Sequence, residues 1–458
     1  MEYLPVTPPQ KFMLEEMPTL KYPGRWCVEV LVKTKARLDE NAMKEAASYV
    51  VNKYESLRTR FRMRDGEWCQ EIYPLSEANV FSVYDLSGED STTRLETMTR
   101  ISYMTRDAFV PEEGNLAKVI FFRWQGNEGR LWFCLHHILA DFVSFLIFTR
   151  DFMAAYTSLV QRKELKWQMA KDYRKMLYLL DGYCRDVLMP AQMDYWLSFP
   201  WDDAKPVPSD YRDLLYNHAS IKRVVDSKIL IDFYTWNVAA LEGGVMQGLL
   251  SRYGNEVENV LIAVFFLAVT DAMKIDCMDM NVSNSGRNIL PPEYGINFFH
   301  LMGYLSVNRV VLLRRPNERN LPSDVQAILD EMKKVPGGGV GYELIADYIK
   351  SDSVRNSFRT RRRKPYVFFN YIGRIDSSFD SDVYEIAPED IGLKFHQSEV
   401  QYNMLECRAW IEGSQLFFKY TYCTAIHRPD TIAAIAESML QMIRELSVAR
   451  TEVIEKIA

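Results

Sequence analysis

Two adjacent histidines, His136 and His137, close an apolar run, and Asp141 follows just ahead of a second apolar stretch. Leu131, Phe133 and Leu135 alternate along the first run, which predicts a half-buried β-strand. From Val143 onward, Leu146, Phe148, Phe152, Met153, Tyr156 and Leu159 recur at roughly helical spacing. This stretch commits the chain to a strand-to-helix junction with an imidazole pair at its turn. Such a junction holds a side chain rigidly at the rim of a cavity. A lone buried histidine is more often structural than catalytic. A doublet followed at fixed spacing by Asp141 and Ser144, with no metal-ligand pattern around it, points toward chemistry.

The surrounding text reads as mixed α/β. Trp26 to Val32 is Val-rich and alternating, a strand, and Asp39 caps a helix carrying Ala42, Met43, Ala46, Val50, Tyr54 and Leu57. Arg58 to Met63 and Glu67 to Tyr73 flank an Asp65-Gly66 turn, a hairpin signal. Leu116 to Trp124 and Arg130 to Leu135 form another expected strand pair, and a helical stretch with breaks runs from about Val143 to about Phe199. A polar, Pro-containing segment, Pro200 to Asp213, separates the halves. In the second half, Val257 to Lys274 is a strongly apolar helix and Pro429 to Leu446 a terminal one. Met278 to Ser283, Leu305 to Leu313, Tyr366 to Tyr371, Met404 to Ile411 and Gln415 to Tyr422 are expected strands. No convincing internal repeat is present.

With 458 residues, the chain is long enough for two or three domains. A net charge of −6 gives no global electrostatic case for nucleic acid or an anionic membrane. Seven scattered cysteines without CxxC spacing read as reduced thiols, with neither a disulfide frame nor a zinc site. His218, His300, His396 and His427 are dispersed, and no metal is implied. Pro336-Gly-Gly-Gly339 lacks the Gly-Lys-Ser/Thr ending of a phosphate-binding loop. The N-terminus shows no secretory pattern, and the apolar run Val260 to Val269 is too short to span a bilayer. The expected location is the cytoplasm.

The doublet with Asp141 resembles the HHxxxDG motif of nonribosomal peptide synthetase condensation domains, within the chloramphenicol-acetyltransferase-like superfamily. Other segments agree, in family order. Leu4-Pro-Val-Thr-Pro-Pro-Gln10 resembles an opening Leu-Thr-Pro-x-Gln text. Lys53-Tyr-Glu-Ser-Leu-Arg-Thr-Arg-Phe61 resembles RHExLRTxF, with Lys53 and Tyr54 in place of Arg and His. Tyr195-Trp196, Ser285-Gly-Arg287 and Phe369-Asn-Tyr-Ile-Gly373 match later landmarks. The resemblance implies two chloramphenicol-acetyltransferase-like lobes in a V-shaped pseudodimer with a central tunnel. The first would cover residues 1–175 and the second 176–458.

The resemblance also implies an activity: joining an acyl thioester on a carrier protein to an amine or hydroxyl nucleophile, giving an amide or an ester. No bound cofactor is needed, because phosphopantetheine delivers the substrate. The partners implied are an acyl or peptidyl carrier protein and a small amine or alcohol acceptor, free or carrier-bound, with the chain acting as a monomer. The central role falls on His137, as base or as hydrogen-bonding positioner. His136 is grouped with His137 and Ser144 in the catalytic set, with a scaffold role beside His137 as its stronger reading. Asp141 would pair with Arg287 and brace the two lobes. Ser144 occupies the family's serine position, either donating with the helix start to an oxyanion or capping the helix.

Departures from the pattern matter. Phe142 replaces the motif's glycine, which permits unusual backbone angles and leaves space beside the histidine, so Phe142 would shape the tunnel, as would Asn370. Phe369 to Gly373 and Gly339-Val-Gly-Tyr342 resemble the epimerization branch. That branch needs a second acid/base, and Ser283 stands where its glutamate would be. Epimerization and a catalytically degenerate carrier-binding role are the alternatives. Arg359-Thr-Arg-Arg-Arg-Lys364 is the dense basic run. It reads either as a solvated loop or as a carrier-docking patch led by Arg361, Arg362 and Arg363.

Overall fold

The structure, a computed structural model, describes residues 2–20, 22–126, 128–166, 169–211, 233–241, 243–317, 320–362, 367–375, 383–392, 403–424 and 426–448. The chain divides into two compact units that interleave in sequence. The first comprises Met1–Asp186, Ser285–Ser306 and Asp376–Glu399; the second comprises Val187–Asn284, Val307–Ile375 and Val400–Ala458. A single boundary after residue 175 therefore does not describe the division. The first unit runs on to Asp186 and takes back two later segments.

In the first unit the strands are β1 (Leu4–Pro5), β2 (Cys27–Thr34), β3 (Thr59–Arg64), β4 (Glu67–Ile72), β5 (Phe81–Asp85), β6 (Ala117–Arg123), β7 (Gly129–His136) and the late β12 (Tyr384–Ile386); β8 to β11 belong to the second unit. A five-stranded sheet runs β12-β2-β7-β6-β5, and a three-stranded one runs β1-β4-β3. Among these described strands, β5 and β6 pair in parallel and the other neighbours are antiparallel. The expected hairpin is β3–β4, with Asp65 and Gly66 both at positive φ, the backbone a tight two-residue turn requires.

Strand β7 is central, and all eight of its positions are buried. The half-buried strand expected from alternation is therefore covered on both faces. On one face Phe133 meets Phe148 and Phe152 of helix α4 (Phe142–Val160), ring centroids 6.2 and 5.2 Å away. The other face is built around a carboxylate. Glu29 of β2 accepts from the Trp132 indole at 3.0 Å and from Arg106 at 2.8 Å, and Arg106 lies on helix α3 (Ser91–Asp107). A buried arginine is tolerated because it is paired and hydrogen-bonded. Helix α4 is long and apolar enough to cross a membrane by length and composition. Its apolar character is accounted for by its packing on β7 and on helix α2 (Glu40–Lys53), which Asp39 caps as expected.

The substituted pair Lys53 and Tyr54 is explained at the α2–α4 contact. Lys53 Nζ and Tyr54 Oη both donate to Asp151 Oδ2, at 2.6 and 2.7 Å. Burial, with the Asp151 charge beside it, pushes the Tyr54 phenol well above its ordinary range.

The second unit holds a six-stranded sheet of β8 (Phe233–Leu241), β9 (Cys277–Asn284), β10 (Val307–Arg314), β11 (Val367–Arg374), β13 (Leu405–Glu412) and β14 (Gln415–Cys423), in the order β10-β9-β11-β13-β14-β8. Its core packs against the helices Val257–Met273 and Pro429–Val448. The first of these is buried nearly all round, as its uninterrupted apolar text requires. Trp196 and Tyr342, from two segments singled out in the sequence, meet with ring centroids 5.2 Å apart in a cluster with Phe199 and Trp201.

Candidate active site

The junction after β7 separates its two histidines by the rule that successive strand residues face opposite ways. His136, the last residue of β7, turns into the interior and is fully buried. Its Nδ1 accepts from the Ile138 N–H at 3.2 Å, so Nε2 carries the proton and donates to the Pro23 carbonyl at 3.1 Å. Burial lowers its pKa to about 4, which keeps it neutral. Both nitrogens are committed to scaffold, so His136 is a structural residue here rather than a catalytic one.

His137 begins the turn. Its main-chain N–H donates to the Trp26 carbonyl at 2.7 Å, extending the β2–β7 ladder by one bond. Its side chain is half-buried. The Tyr304 ring stands edge-on to the imidazole at 4.7 Å between centroids, and the Trp26 ring at 6.4 Å.

Among the described residues, the Asp141 carboxylate accepts five hydrogen bonds. Its carboxylate caps α4 by accepting the Ser144 N–H at 2.9 Å. Arg287 donates to it from both terminal nitrogens, at 2.7 and 2.8 Å, and the N–H groups of Leu305 and Ser306 donate at 3.1 and 3.0 Å. Arg287 belongs to the Ser285–Ser306 segment of the first unit. The pair thus braces that unit internally, not one lobe against another as expected. Gly286 makes the approach possible. It sits at φ +68°, and a Cβ there would stand 1.7 Å from the Leu305 carbonyl oxygen.

Ser144 fills neither of its two expected roles, oxyanion donor or helix cap, since Asp141 is the cap of α4. Its buried hydroxyl donates to the Gly303 carbonyl at 2.8 Å and accepts from the Gly303 N–H and from Arg287, at 3.0 and 2.9 Å. The proton an oxyanion would need is already engaged, and the Ser144 N–H is taken by Asp141. Ser144 is a latch between α4 and the Gly303 loop.

Phe142 is the first residue of α4, half-exposed, with negative φ. The backbone at this position is ordinary helix, so glycine's conformational freedom is not needed here. The consequence of Phe142 is one of volume alone.

Thr7 and Gln10, which carry no expected role beyond the opening landmark, form a capping box at the start of helix α1 (Pro8–Glu16), and their remaining groups reach the junction. Gln10 donates to the Ile138 carbonyl at 3.0 Å, one residue past His137. Thr7 donates to the Tyr304 carbonyl at 3.0 Å. The Thr-x-x-Gln spacing is a visible signal for the cap; nothing local in the sequence marks Trp26 or Tyr304.

Asn370 lies on β11 in the second unit, half-buried. Arg361 and Arg362 end the helix Asp352–Arg362, but their side chains, together with Arg363, lie outside the described residues, as do His218 and His396. Among the described residues, no group of three or more His, Cys, Asp or Glu side chains gathers to hold a metal.

A family model described as Condensation domain matches residues 1–456. The chain belongs to the condensation-domain family. A linear gramicidin synthase polypeptide of Brevibacillus parabrevis is 25% identical over 447 residues, covering 97% of this chain and 8% of that protein. Surfactin synthase subunit 2 of Bacillus subtilis (strain 168) is 22% identical over 402 residues, covering 87% of this chain and 11% of that protein. This condensation-domain chain thus spans about a tenth of the length of these curated relatives. Among solved structures, the epimerization domain from the third module of tyrocidine synthetase B superposes with a TM-score of 0.81 at 21% identity, covering 97% of this chain and 96% of that one. The condensation domain of the Monacolin K polyketide synthase MokA superposes at 0.73 with 11% identity, covering 98% of each chain. Likeness at these identities shows the shared mixed α/β fold.

Proposed function

We propose that this condensation-family chain joins a carrier-bound acyl thioester to an amine or hydroxyl nucleophile, with His137 as the central group. The observation that carries the reading is the division of labour at the junction. His136, Asp141, Ser144 and Arg287 are buried and engaged with scaffold, whereas His137 is half-exposed and, unlike the half-exposed Phe142, carries a group able to take a proton.

In the reaction, the nucleophile's lone pair attacks the thioester carbonyl and the carbon–sulfur bond breaks. The pantetheine thiol leaves, and the proton lost by the amine or hydroxyl ends on that thiol. His137 orients the nucleophile and takes its proton, a role worth roughly 10²–10⁴-fold. Phosphopantetheine on an acyl or peptidyl carrier protein supplies the activated acyl group. The seven cysteines are thiols outside any disulfide, which fits a reducing cytoplasm as the place of action.

Epimerization is the second reading. It forms no bond and needs an acid/base on each side of the α-carbon, and Ser283 offers no carboxylate for that task. The test offers wild type and His137→Ala a panel of acyl-loaded carrier proteins with amines and alcohols, in deuterated water. A His137-dependent amide or ester without α-deuterium supports condensation. Deuterium uptake without an adduct shows epimerization. Neither signal across the panel removes both catalytic readings and favours the degenerate carrier-binding alternative.

A further inference from the structure

The segment Gly303–Ser306 lies outside every motif that marks the chain, yet each of its residues is held by one of them. Ser144 takes both the carbonyl and the N–H of Gly303, at 2.8 and 3.0 Å. Thr7 takes the Tyr304 carbonyl at 3.0 Å. Asp141 takes the N–H groups of Leu305 and Ser306, at 3.1 and 3.0 Å. The Leu305 carbonyl closes against Gly286, where no Cβ would fit. A backbone pinned at four successive residues fixes where its side chains point. The Tyr304 ring from this segment stands 4.7 Å from the His137 ring, with 67° between their planes.

We infer that Tyr304 is a positioning residue for His137, and that the surrounding motifs act in part by presenting its ring. Histidine χ2 is a broad, soft torsion, so neighbours set the direction in which the imidazole faces. An edge-on aromatic pair favours one arrangement over others. A catalytic group that loses its heading costs up to about 100-fold even when it is still present. The inference rests on the reading of His137 as the working group, and it adds the residue that aims it.

The test separates the two. Protein labelled with [13Cε1]histidine carries six histidines, and the His137 signal is the one lost in His137→Asn. Tyr304→Ala should move the His137 signal while the buried His136 and His427 signals stay, because the adjacent ring current is gone. Tyr304→Phe keeps the ring and should leave the signal near its wild-type place. With an active carrier substrate, Tyr304→Ala should lower kcat by roughly 10–100-fold with little change in KM, and Tyr304→Phe should recover most of it. An unmoved His137 signal in Tyr304→Ala overturns the inference whatever the activity. If that variant does not fold, Tyr304→Leu, which keeps bulk without a ring, replaces it under the same criterion. A moved signal reports the lost ring, so a moved signal with unchanged kcat overturns the positioning role, and a moved signal in a protein that makes no product from any thioester removes the condensation reading on which the inference rests.

Discussion

Asp141→Asn changes one atom of the most densely bonded side chain at the junction, and its cost follows from the donors around it. Asparagine caps a helix as well as aspartate does, so the start of α4 is not itself lost. The amide must place its NH₂ somewhere. If its oxygen keeps the Ser144 N–H, the NH₂ occupies the Oδ2 position, where an Arg287 nitrogen and the Leu305 and Ser306 N–H groups all point. If the amide flips, the NH₂ faces the Ser144 N–H and the other Arg287 nitrogen instead. Either way donors oppose donors, and the Arg287 side chain, 1% exposed, keeps its charge without a carboxylate. Breaking such a buried pair costs about 3–5 kcal/mol, a large share of a typical stability of about 5–15 kcal/mol. Urea unfolding should shift its midpoint down by roughly 1–2 M. Hydrogen exchange should quicken in Phe142–Val160 and Gly303–Ser306. In a double-mutant cycle with Arg287→Gln, the two changes should couple by about 2–3 kcal/mol. A loss under about 0.5 kcal/mol, or strict additivity, would show that the pair contributes little to stability and refute the argument.

Other consequences are equally direct. His136 has a folded pKa of about 4 against the ordinary 6.5, so between these values the unfolded chain binds a proton that the folded chain does not. Stability should therefore fall as pH drops from about 6.5 to about 4, by up to about 3 kcal/mol from this group, and His136→Asn should flatten that part of the profile measured by thermal unfolding. Gly286→Ala adds a Cβ against the Leu305 carbonyl at a left-handed backbone and should cost at least about 2 kcal/mol by the same assay. Gln10→Ala removes the bond to the Ile138 carbonyl, costing about 1 kcal/mol or somewhat more, and should slow transfer while leaving carrier binding intact in a pull-down. His137→Ala should leave the turn folded, since its main chain makes the Trp26 bond, and should cost about 1 kcal/mol for the lost ring contacts with Tyr304 and Trp26.

Much of this architecture is legible in the sequence because its signals are local. The Asp65-Gly66 turn, the Asp39 cap and the apolar helix from Val257 each carry their cause within a few residues. Strand β12 does not: its three residues pair with β2 across the length of the chain, and no local pattern announces that. Helix α3 is hidden because its buried face includes Ser102 and Arg106 beside Met98 and Ile101, which dilutes the apolar period. At the site, motif spacing is enough to expect the Asp141–Arg287 pair, which the structure contains, and to single out His137 as a candidate. It is not enough to exclude Ser144 as an oxyanion donor, because sequence shows a hydroxyl's position but not which carbonyl it serves. Tyr304 is invisible for the related reason that its importance lies in how other residues hold its backbone.

The pairing of Thr34 with Tyr384 also sets a timetable for synthesis. The two residues are 350 positions apart (384 − 34). At about 5–20 residues per second, a ribosome takes roughly 20–70 s to make that interval. Throughout it, the outer edge of β2 is open to any passing strand. The nascent chain therefore has a period of open-edge exposure built into its connectivity. Slower translation or a shortage of chaperone should reduce the yield of folded protein well before any change of side chain does.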